Sequence, residues 1–259
     1  MTAAALARGV VRAIAGLALI TALMLSGPLL TLAFDRSAAT RGDWRTATHR
    51  PTGLAPDPAR HPDAIVQVYA SRTFGWRGAF AVHTWVAVKP AHADRYTRYE
   101  VIGWYARGGG SGLTISDAEA PDAEWYGNAP EVIADLRGVA ADTVIARLPR
   151  LAADYAQKRY RAWPGPNSNT FVAYVGRAFP ELRVTMPPLA IGKDFLPVGE
   201  WLSRTPSGTG YQVSLAGVVG VLAARDEGFE VNLFGLVTGI DFRHPALKLP
   251  GFGEFPARG

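Results

Sequence analysis

The stretch FAVHTWVAVK at residues 80–89 decides the fold class of this chain, together with AIVQVYAS at 64–71 and YEVIGWYA at 99–106. All three are rich in β-branched and aromatic residues, and AIVQVYAS alternates apolar and polar positions as a half-buried strand does. A polar loop containing Pro90 separates the last two. The three stretches therefore predict an antiparallel meander that begins at Ala64.

Two helices are predicted after the glycine-rich loop RGGGSG at residues 107–112. One runs from about Pro130 to Leu136 and a longer one from Asp142 to about Arg159. The loop lacks both the Lys-Ser/Thr pair and the helix start that a phosphate-binding loop needs. It is therefore interpreted as a flexible connection.

A third helix is predicted within WPGPNSNTFVAYVGRAFP at residues 163–180, where apolar residues recur with helical spacing. The prolines and glycine before Asn167 prevent an earlier start, and Pro180 ends the pattern. Asn167, Ser168 or Asn169 can accept hydrogen bonds from the free N–H groups of the first turn.

The segments YQVSLAGVVGVLAA at 211–224 and FEVNLFGLVTGIDF at 229–242 predict a long C-terminal β hairpin with its turn at 225–228. At 14 residues, the first segment is too short to cross a bilayer. A re-entrant or membrane-resting segment is the alternative, because the apolar side chains form a large surface. They are Leu215, Val219, Val221, Leu233, Phe234 and Leu236.

Residues 13–34 carry no formal charge and are rich in Leu, Ile and Ala. A membrane-spanning helix needs about 20 apolar residues, whereas the apolar part of a secretion signal has roughly 7 to 15. The sequence therefore predicts a membrane anchor over residues 1–36. A cleaved signal ending at Thr31-Leu32-Ala33 is the alternative.

The short N-terminal tail contains Arg8 and Arg12 and no acidic residue, which favours its retention in the cytoplasm. Arg36, Arg41 and Arg45 on the other side oppose that assignment. The prediction is a single-pass protein of a bacterial inner membrane, with its soluble domain outside the cytoplasm.

Residues 37–62 hold four prolines and no apolar period, so they predict an extended connector. Residues 63–200 are predicted to form the main α+β domain, and residues 201–259 a β hairpin extension of it. The fold class is thus α+β: a transmembrane helix, an antiparallel sheet with packed helices, and a C-terminal hairpin.

Composition excludes several chemistries. The chain has 27 Lys and Arg against 22 Asp and Glu, but the basic residues are scattered, so no nucleic-acid partner is expected. Without cysteine there is no thiol nucleophile and no thiolate metal site. None of the five histidines has the helical spacing of a metal pair, so neither a metal nor another cofactor is expected.

HTWVAVK, WPGPNSNTF and IGKDFLP resemble motifs of an uncharacterised bacterial family of membrane-associated proteins of unknown function. The resemblance covers roughly residues 43–200. It implies a family but no activity.

A more distant resemblance is to the circularly permuted papain-like thiol hydrolases and acyltransferases, the lecithin retinol acyltransferase group. In that group a strand His precedes an Asn-Cys pair that opens a helix. Here His83 in HTWVAV matches the His, and Asn167-Ser168 in NSNTF matches the pair, with Ser168 in place of the Cys. The resemblance implies a permuted papain-like version of the fold.

On this interpretation His83 is the general base for a Ser168 nucleophile, which the helix start would help to ionise. Glu100 is the nearest acidic candidate to orient His83. Pairing the strands through a short loop places His83 opposite Trp104, however, with Glu100 about 13 Å away. The structural interpretation makes Ser168 a helix cap and His83 a core residue.

Asn167, Asn169, Thr170 and Trp163 are candidate binding residues around this helix start. Two functions follow as hypotheses. The first is a binding or structural module of the cell envelope, built on a hydrolase-like scaffold without the thiol, with the membrane and an unidentified envelope ligand or protein as partners. The alternative is a Ser168/His83-dependent hydrolase or acyltransferase acting on a cell-wall, peptide or lipid acyl bond.

Overall fold

A computed structural model describes residues 3–34 and 45–256 of the chain. Over these residues the fold is α+β, with one N-terminal apolar helix, two antiparallel sheets and two further α-helices. The predicted boundary between anchor and connector at residues 36 and 37 lies outside the described residues, as do Arg36 and Arg41.

The first helix, α1, spans Ala3–Phe34, and within it residues 6–34 are long and apolar enough to cross a membrane. Most of this segment is exposed, but Met24, Gly27, Pro28 and Thr31 are buried. Gly27 lies against Pro250, and a Cβ at Gly27 would come within 2.0 Å of the Pro250 carbonyl oxygen. The second half of α1 therefore packs on the domain.

The first sheet contains β1 (Ile65–Arg72), β2 (Val82–Lys89), β3 (Thr97–Val101), β4 (Leu113–Ser116) and β5 (Glu131–Arg137). All neighbours are antiparallel in the order β4-β3-β2-β1-β5. The predicted meander is confirmed over β1 to β3. The first two strands match their predicted segments closely.

The helix predicted over residues 130–136 is wrong, because this segment is β5. It carries the β-branched pair Val132-Ile133 and fills the open edge of β1. A helix of seven residues would gain few hydrogen bonds for the entropy of its first turn, whereas the edge of β1 offers a full ladder.

The predicted pairing of β2 with β3 is also wrong in register. Trp85 lies opposite Glu100, and the stretch Gly103–Ala106 forms a 3-10 turn where strand was predicted. Because β3 ends at Val101, Trp104 has no partner on β2. Glu100 is thereby brought two residues from the position opposite His83.

Helices α2 (Val139–Ala156) and α3 (Ser168–Ala178) pack on one face of this sheet. Their buried faces meet the even-numbered residues of β2, which include Val82 and Val86. The predicted second and third helices are confirmed. The odd-numbered side chains of β2 point to the other face, since successive side chains of a strand alternate.

The second sheet is a seven-stranded antiparallel meander in chain order. Its strands are β6 (Leu202–Arg204), β7 (Gly210–Leu215), β8 (Val219–Ala224), β9 (Gly228–Leu233), β10 (Leu236–Asp241), β11 (Ala246–Leu249) and β12 (Gly253–Phe255). The predicted C-terminal hairpin is present as β8 and β9.

Each long strand predicted for that hairpin is divided in two by a tight turn. Positive φ angles occur at Ala216 and Gly217 between β7 and β8, and at Phe234 and Gly235 between β9 and β10. Two successive residues with positive φ are what a type I′ hairpin turn requires. The Ala-Gly and Phe-Gly pairs therefore add two hairpins.

The predicted connector is described from residue 45 onward. Up to residue 62 it forms no helix or strand beyond a single bridge from Pro51 to Ala123. The backbone N–H groups of Leu54 and Ala55 donate to the Asp122 carboxylate at 2.7 and 3.2 Å. This part of the connector thus lies on the domain surface.

Candidate functional site

The face of the first sheet that is turned away from α2 and α3 carries a buried chain of charged residues. His83 on β2 and Glu100 on β3 meet with Nε2 and Oε2 3.2 Å apart. Arg98, two residues earlier on β3, donates from Nη2 to the same Glu100 oxygen at 3.0 Å. All three side chains are buried. Glu100 therefore sits between a cation and an imidazole.

An aromatic stack covers this chain. Trp125 lies flat on the His83 ring, with centroids 3.8 Å apart and planes 13° apart. Trp104 stacks in turn over Trp125 at 5.9 Å, and Trp85 stacks beyond His83 at 5.8 Å. Arg98 lies over the Trp85 ring at 4.7 Å. The stack runs from the exposed Trp104 into the core, and it seals His83.

Burial lowers the pKa of His83, although Glu100 opposes the shift. Burial alone would raise the pKa of Glu100, but the hydrogen bond with His83 and the positive charge of Arg98 outweigh it and lower that pKa. The stable pair is therefore a neutral imidazole and a carboxylate. In that state Nε2–H donates to Glu100, and Nδ1 keeps its lone pair.

Asn167 is the N-cap of α3. Its Oδ1 accepts from the Thr170 backbone N–H at 3.1 Å, and the Asn167 N–H donates to Thr170 Oγ1 at 3.2 Å, which completes a capping box. Asn167 Nδ2 also donates to the carbonyl oxygens of Ala162 and Ile191, both at 3.0 Å. Asn167 and Thr170 thus have structural partners.

Asn169 joins α3 to β2. Its Nδ2 donates to the carbonyl oxygens of Val82 and Ile191 at 3.0 and 2.8 Å, and its Oδ1 accepts from Thr84 Oγ1 at 3.0 Å. Every polar atom of this amide is used within the core. Asn169 is therefore a structural clamp.

Ser168 is the first residue of α3 and is buried. Within the described part of the chain its hydroxyl makes no hydrogen bond, to His83 or to any other residue. The backbone carbonyl of Ser168 lies 3.3 Å from Thr84 Oγ1, and Thr84 is the neighbour of His83. Because Thr84 and His83 point to opposite faces of β2, the structure brings Ser168 to the strand that carries His83 but does not join the two side chains.

Trp163 lies apart from the His83 cluster. Its side chain is half exposed, and its indole Nε1 donates to the carbonyl oxygen of Phe234 at 3.0 Å. It links the segment before α3 to the second sheet. Its neighbour Ala162 accepts a hydrogen bond from Asn167 at the start of α3, and the binding role of Trp163 stays a prediction.

Sequence reasoning did not identify Arg98 or Trp125 as members of the cluster. The alternation of side chains along a strand is enough to predict that Arg98 lies on the same face of β3 as Glu100, two residues away. Trp125 comes from the loop after β4, and no local pattern places it over His83. Among residues 3–34 and 45–256, no group of three His, Asp or Glu side chains has the geometry of a metal site.

Comparison with protein families gave one match. A family model described as "Protein of unknown function (DUF3750)" matches residues 63–195, just over half of the 259-residue chain. A search of curated proteins found no match, and a search of solved structures found none either.

Replacing Asn167 tests the structural interpretation of the α3 start. Asn167→Ala removes a helix cap and leaves two partly buried carbonyl groups without their donor, so we expect a loss of about 2–3 kcal/mol in the free energy of unfolding. Ser168→Ala removes a hydroxyl without a bond and should change it by less than about 0.5 kcal/mol. Chemical denaturation of the full chain in non-ionic detergent measures both, and equal losses would contradict this interpretation.

The lowered pKa of His83 predicts a pH-dependent stability. The unfolded chain takes up a proton near the ordinary His value of 6.5, whereas the native state resists protonation. Stability should therefore be fully present above pH 6.5 and fall as the pH decreases from there towards the lower native pKa, by at most about 1.4 kcal/mol per pH unit. The lowered pKa of Glu100 adds a loss only below its ordinary value of 4.5.

Thermal unfolding between pH 7.5 and 5.5 measures this effect, with His83→Gln as the control. The variant keeps a donor towards Glu100 but cannot titrate. Its unfolding midpoint should therefore depend less on pH than that of the wild type. Identical pH profiles for the two proteins would show that His83 is not the group responsible.

Proposed function

We propose that this chain, which belongs to the DUF3750 family of proteins of unknown function, is a membrane-anchored binding module of the bacterial cell envelope. The apolar length of α1 supports the anchor. The basic residues Arg8 and Arg12 near the start of α1 favour a cytoplasmic N-terminus and a domain outside the cytoplasm. The hydrolase-like scaffold without a thiol remains part of this proposal.

The enclosure of the His83 ring by its neighbours is the observation that favours binding over catalysis. Trp125 covers the ring at 3.8 Å, and Glu100 occupies Nε2. The Ser168 hydroxyl has no hydrogen-bonded base among the described residues. A serine nucleophile needs a general base within hydrogen-bond reach, so this arrangement suits a structural pair better than a catalytic one.

The ligand-facing surface proposed here is an aromatic ledge formed by Trp104, Tyr105, Trp125 and Tyr126. Tyr105 is 64% exposed and Trp104 is 41% exposed, while Trp125 beneath them is buried. The edge-on contact between Trp125 and Tyr126, with centroids 5.0 Å apart, holds the ledge rigid.

Polar groups border this ledge. His49 packs edge-on against Tyr126 at 4.7 Å, and its Nδ1 lies 3.9 Å from the Glu119 carboxylate. Exposed aromatic rings with a few polar groups beside them are suited to a ligand with both apolar faces and hydroxyl groups. The proposed ligand class is therefore a saccharide of the cell envelope.

The second candidate function is the Ser168-dependent hydrolase or acyltransferase, and one observation favours it. His83 is held by Glu100 through Nε2, which leaves Nδ1 as a proton acceptor, and the lowered pKa of His83 keeps the ring neutral. These are the features of an oriented general base. Because His83 points away from α3, a rearrangement that brings His83 and Ser168 to the same side of β2 would be needed to complete the site.

Titration of intrinsic fluorescence tests the ledge, with triacetylchitotriose as the probe. We expect a saturable change in tryptophan emission of the full chain in detergent, and its loss in Trp104→Ala. Trp201→Ala is the matched control, since Trp201 is 59% exposed and outside the ledge. Absence of a saturable change, or an equal loss in the control, would remove the saccharide assignment.

Labelling with a fluorophosphonate probe decides between the two functions. A binding module should give no covalent adduct at Ser168 in the wild type, because the hydroxyl is not activated. A hydrolase should give an adduct that disappears in both Ser168→Ala and His83→Ala. That second result, in variants with unchanged circular dichroism, would replace the binding function with the catalytic one.

A further inference from the structure

The second sheet exposes many of its apolar side chains on the face that points away from the rest of the domain. Side chains on its outer face, which is defined here by its exposed apolar residues, are 40–68% exposed. They are Tyr211, Val213, Leu215, Val219, Val221, Phe229, Ile240, Leu247 and Phe255. These positions pair across the strands, for example Val213 with Val221. The outer face is therefore continuous from β7 to β12.

The inner face of the same sheet is largely polar. Six of its buried side chains are polar or charged, and the apolar Leu222 and Val237 lie among them. The six are Gln212, Ser214, Glu230, Asn232, Asp241 and Lys248. A one-sided antiparallel sheet in water normally turns its apolar residues inward and its polar residues outward. In the second sheet most of the exposed side chains of the outer face are apolar, and most of the buried side chains of the inner face are polar. Apolar surface of this extent on a sheet marks a face that is covered by something other than water.

Ion pairs hold the polar inner face to the rest of the domain. Glu230 lies between two lysines, with Lys193 Nζ at 2.6 Å and Lys248 Nζ at 2.5 Å. Arg177 on α3 donates to Gln212 Oε1 at 3.1 Å. Lys193 belongs to the loop after α3, so the polar face is fixed against the main body. Because the polar face is held against the main body, the apolar face points outward.

The anchor helix α1 contacts one end of this sheet. Thr31 Oγ1 lies 3.3 Å from the carbonyl oxygen of Gly251 in the β11–β12 turn. Leu29 on the opposite side of α1 and Phe34 at its end are exposed. A helix of 32 residues is about 48 Å long, well beyond the roughly 30 Å of bilayer hydrocarbon. An apolar helix surface therefore continues to the level at which the sheet begins.

Arginines border the opposite end of the sheet. Arg183, Arg225 and Arg243 converge on Asp226, with the closest contacts at 2.7, 3.3 and 2.9 Å. They line an open cavity of about 500 Å³ together with the exposed ring of Phe242. Three guanidinium groups against one carboxylate leave a positive charge beside apolar surface. This pairing fits an anionic lipid headgroup and its acyl chain.

From these observations we propose that the outer face of the second sheet lies on the lipid bilayer that holds α1. Its apolar side chains enter the interfacial region, and the arginine cluster binds anionic headgroups at the far end. The membrane is favoured over a second copy of the chain because α1 places every copy of this face beside lipid. The inference rests on the proposed membrane anchor.

Spin labels attached to introduced cysteines test this placement. Because the chain has no cysteine of its own, each introduced cysteine is the only labelling site. The outer face is labelled through Val213→Cys and, separately, Val221→Cys. Leu19→Cys on α1 reports the anchor, and Ala153→Cys on the exposed side of α2 reports water. The full chain is reconstituted in nanodiscs of phosphatidylcholine and phosphatidylglycerol. All four positions are exposed or partly exposed in the structure, so the substitutions remove no buried side chain.

Collisions with a water-soluble nickel chelate and with oxygen are measured by power saturation. We expect the labels at 213 and 221 to be about fivefold less accessible to the chelate than the label at 153, and more accessible to oxygen, because polar chelates are excluded from the apolar bilayer. Replacing phosphatidylglycerol by phosphatidylcholine should weaken this protection.

The controls separate the possible failures. Equal chelate accessibility at 213, 221 and 153, with Leu19 protected, would overturn the placement of the sheet and leave the anchor intact. If the label at position 19 were also accessible to the chelate, the membrane anchor would be wrong, and the proposed function with it. Dipolar coupling between labels at 221 in two chains would show that a second copy covers the face. Unchanged protection without phosphatidylglycerol would remove the arginine cluster from the proposal.

Discussion

The amide side chains at the start of α3 hold together three segments that are distant in sequence. Asn169 binds the carbonyl oxygens of Val82 on β2 and Ile191 in the following loop, and Asn167 binds Ile191 as well. Thr170 donates to the carbonyl oxygen of Gly192 at 2.8 Å. Because these groups are buried, each lost bond would leave an unpaired polar atom in the core. The position of β2 against α3 therefore depends on this junction.

The two sheets depend on the same loop for their relative placement. Lys193 and Asp194 follow Gly192 directly and reach the inner face of the second sheet, where Lys193 pairs with Glu230 and Asp194 Oδ2 accepts from Asn232 at 3.1 Å. Buried charges are costly unless they are paired. A different placement of the two sheets would separate these groups and leave charges buried without partners, so the ion pairs act mainly by specifying geometry.

The main elements were predictable because their signals are local. The alternation in β1, the β-branched content of β2 and the capping residues before α3 each lie within a few positions. β5 was mistaken for a helix since its strand state depends on the distant edge of β1. The approach of Glu100 to His83 was missed for a similar reason: a shift of the β2–β3 register changes every partner, and the 3-10 turn at Gly103–Ala106 that sets the register has no clear sequence signal.

The same reasoning explains why the sequence does not show which face of the second sheet lies inside. In a sequence, strict alternation indicates a sheet with two different faces but does not say which face is inside. The charged positions Glu230 and Lys248 supply that information only when it is known that the buried Lys193 also pairs with Glu230. Once the polar face is fixed inward by these pairs, the apolar face must be exposed, and α1 packs at its edge through Gly27 and Thr31. The buried ion pairs therefore determine that the apolar face of the sheet points outward, beside a helix long enough to cross a membrane.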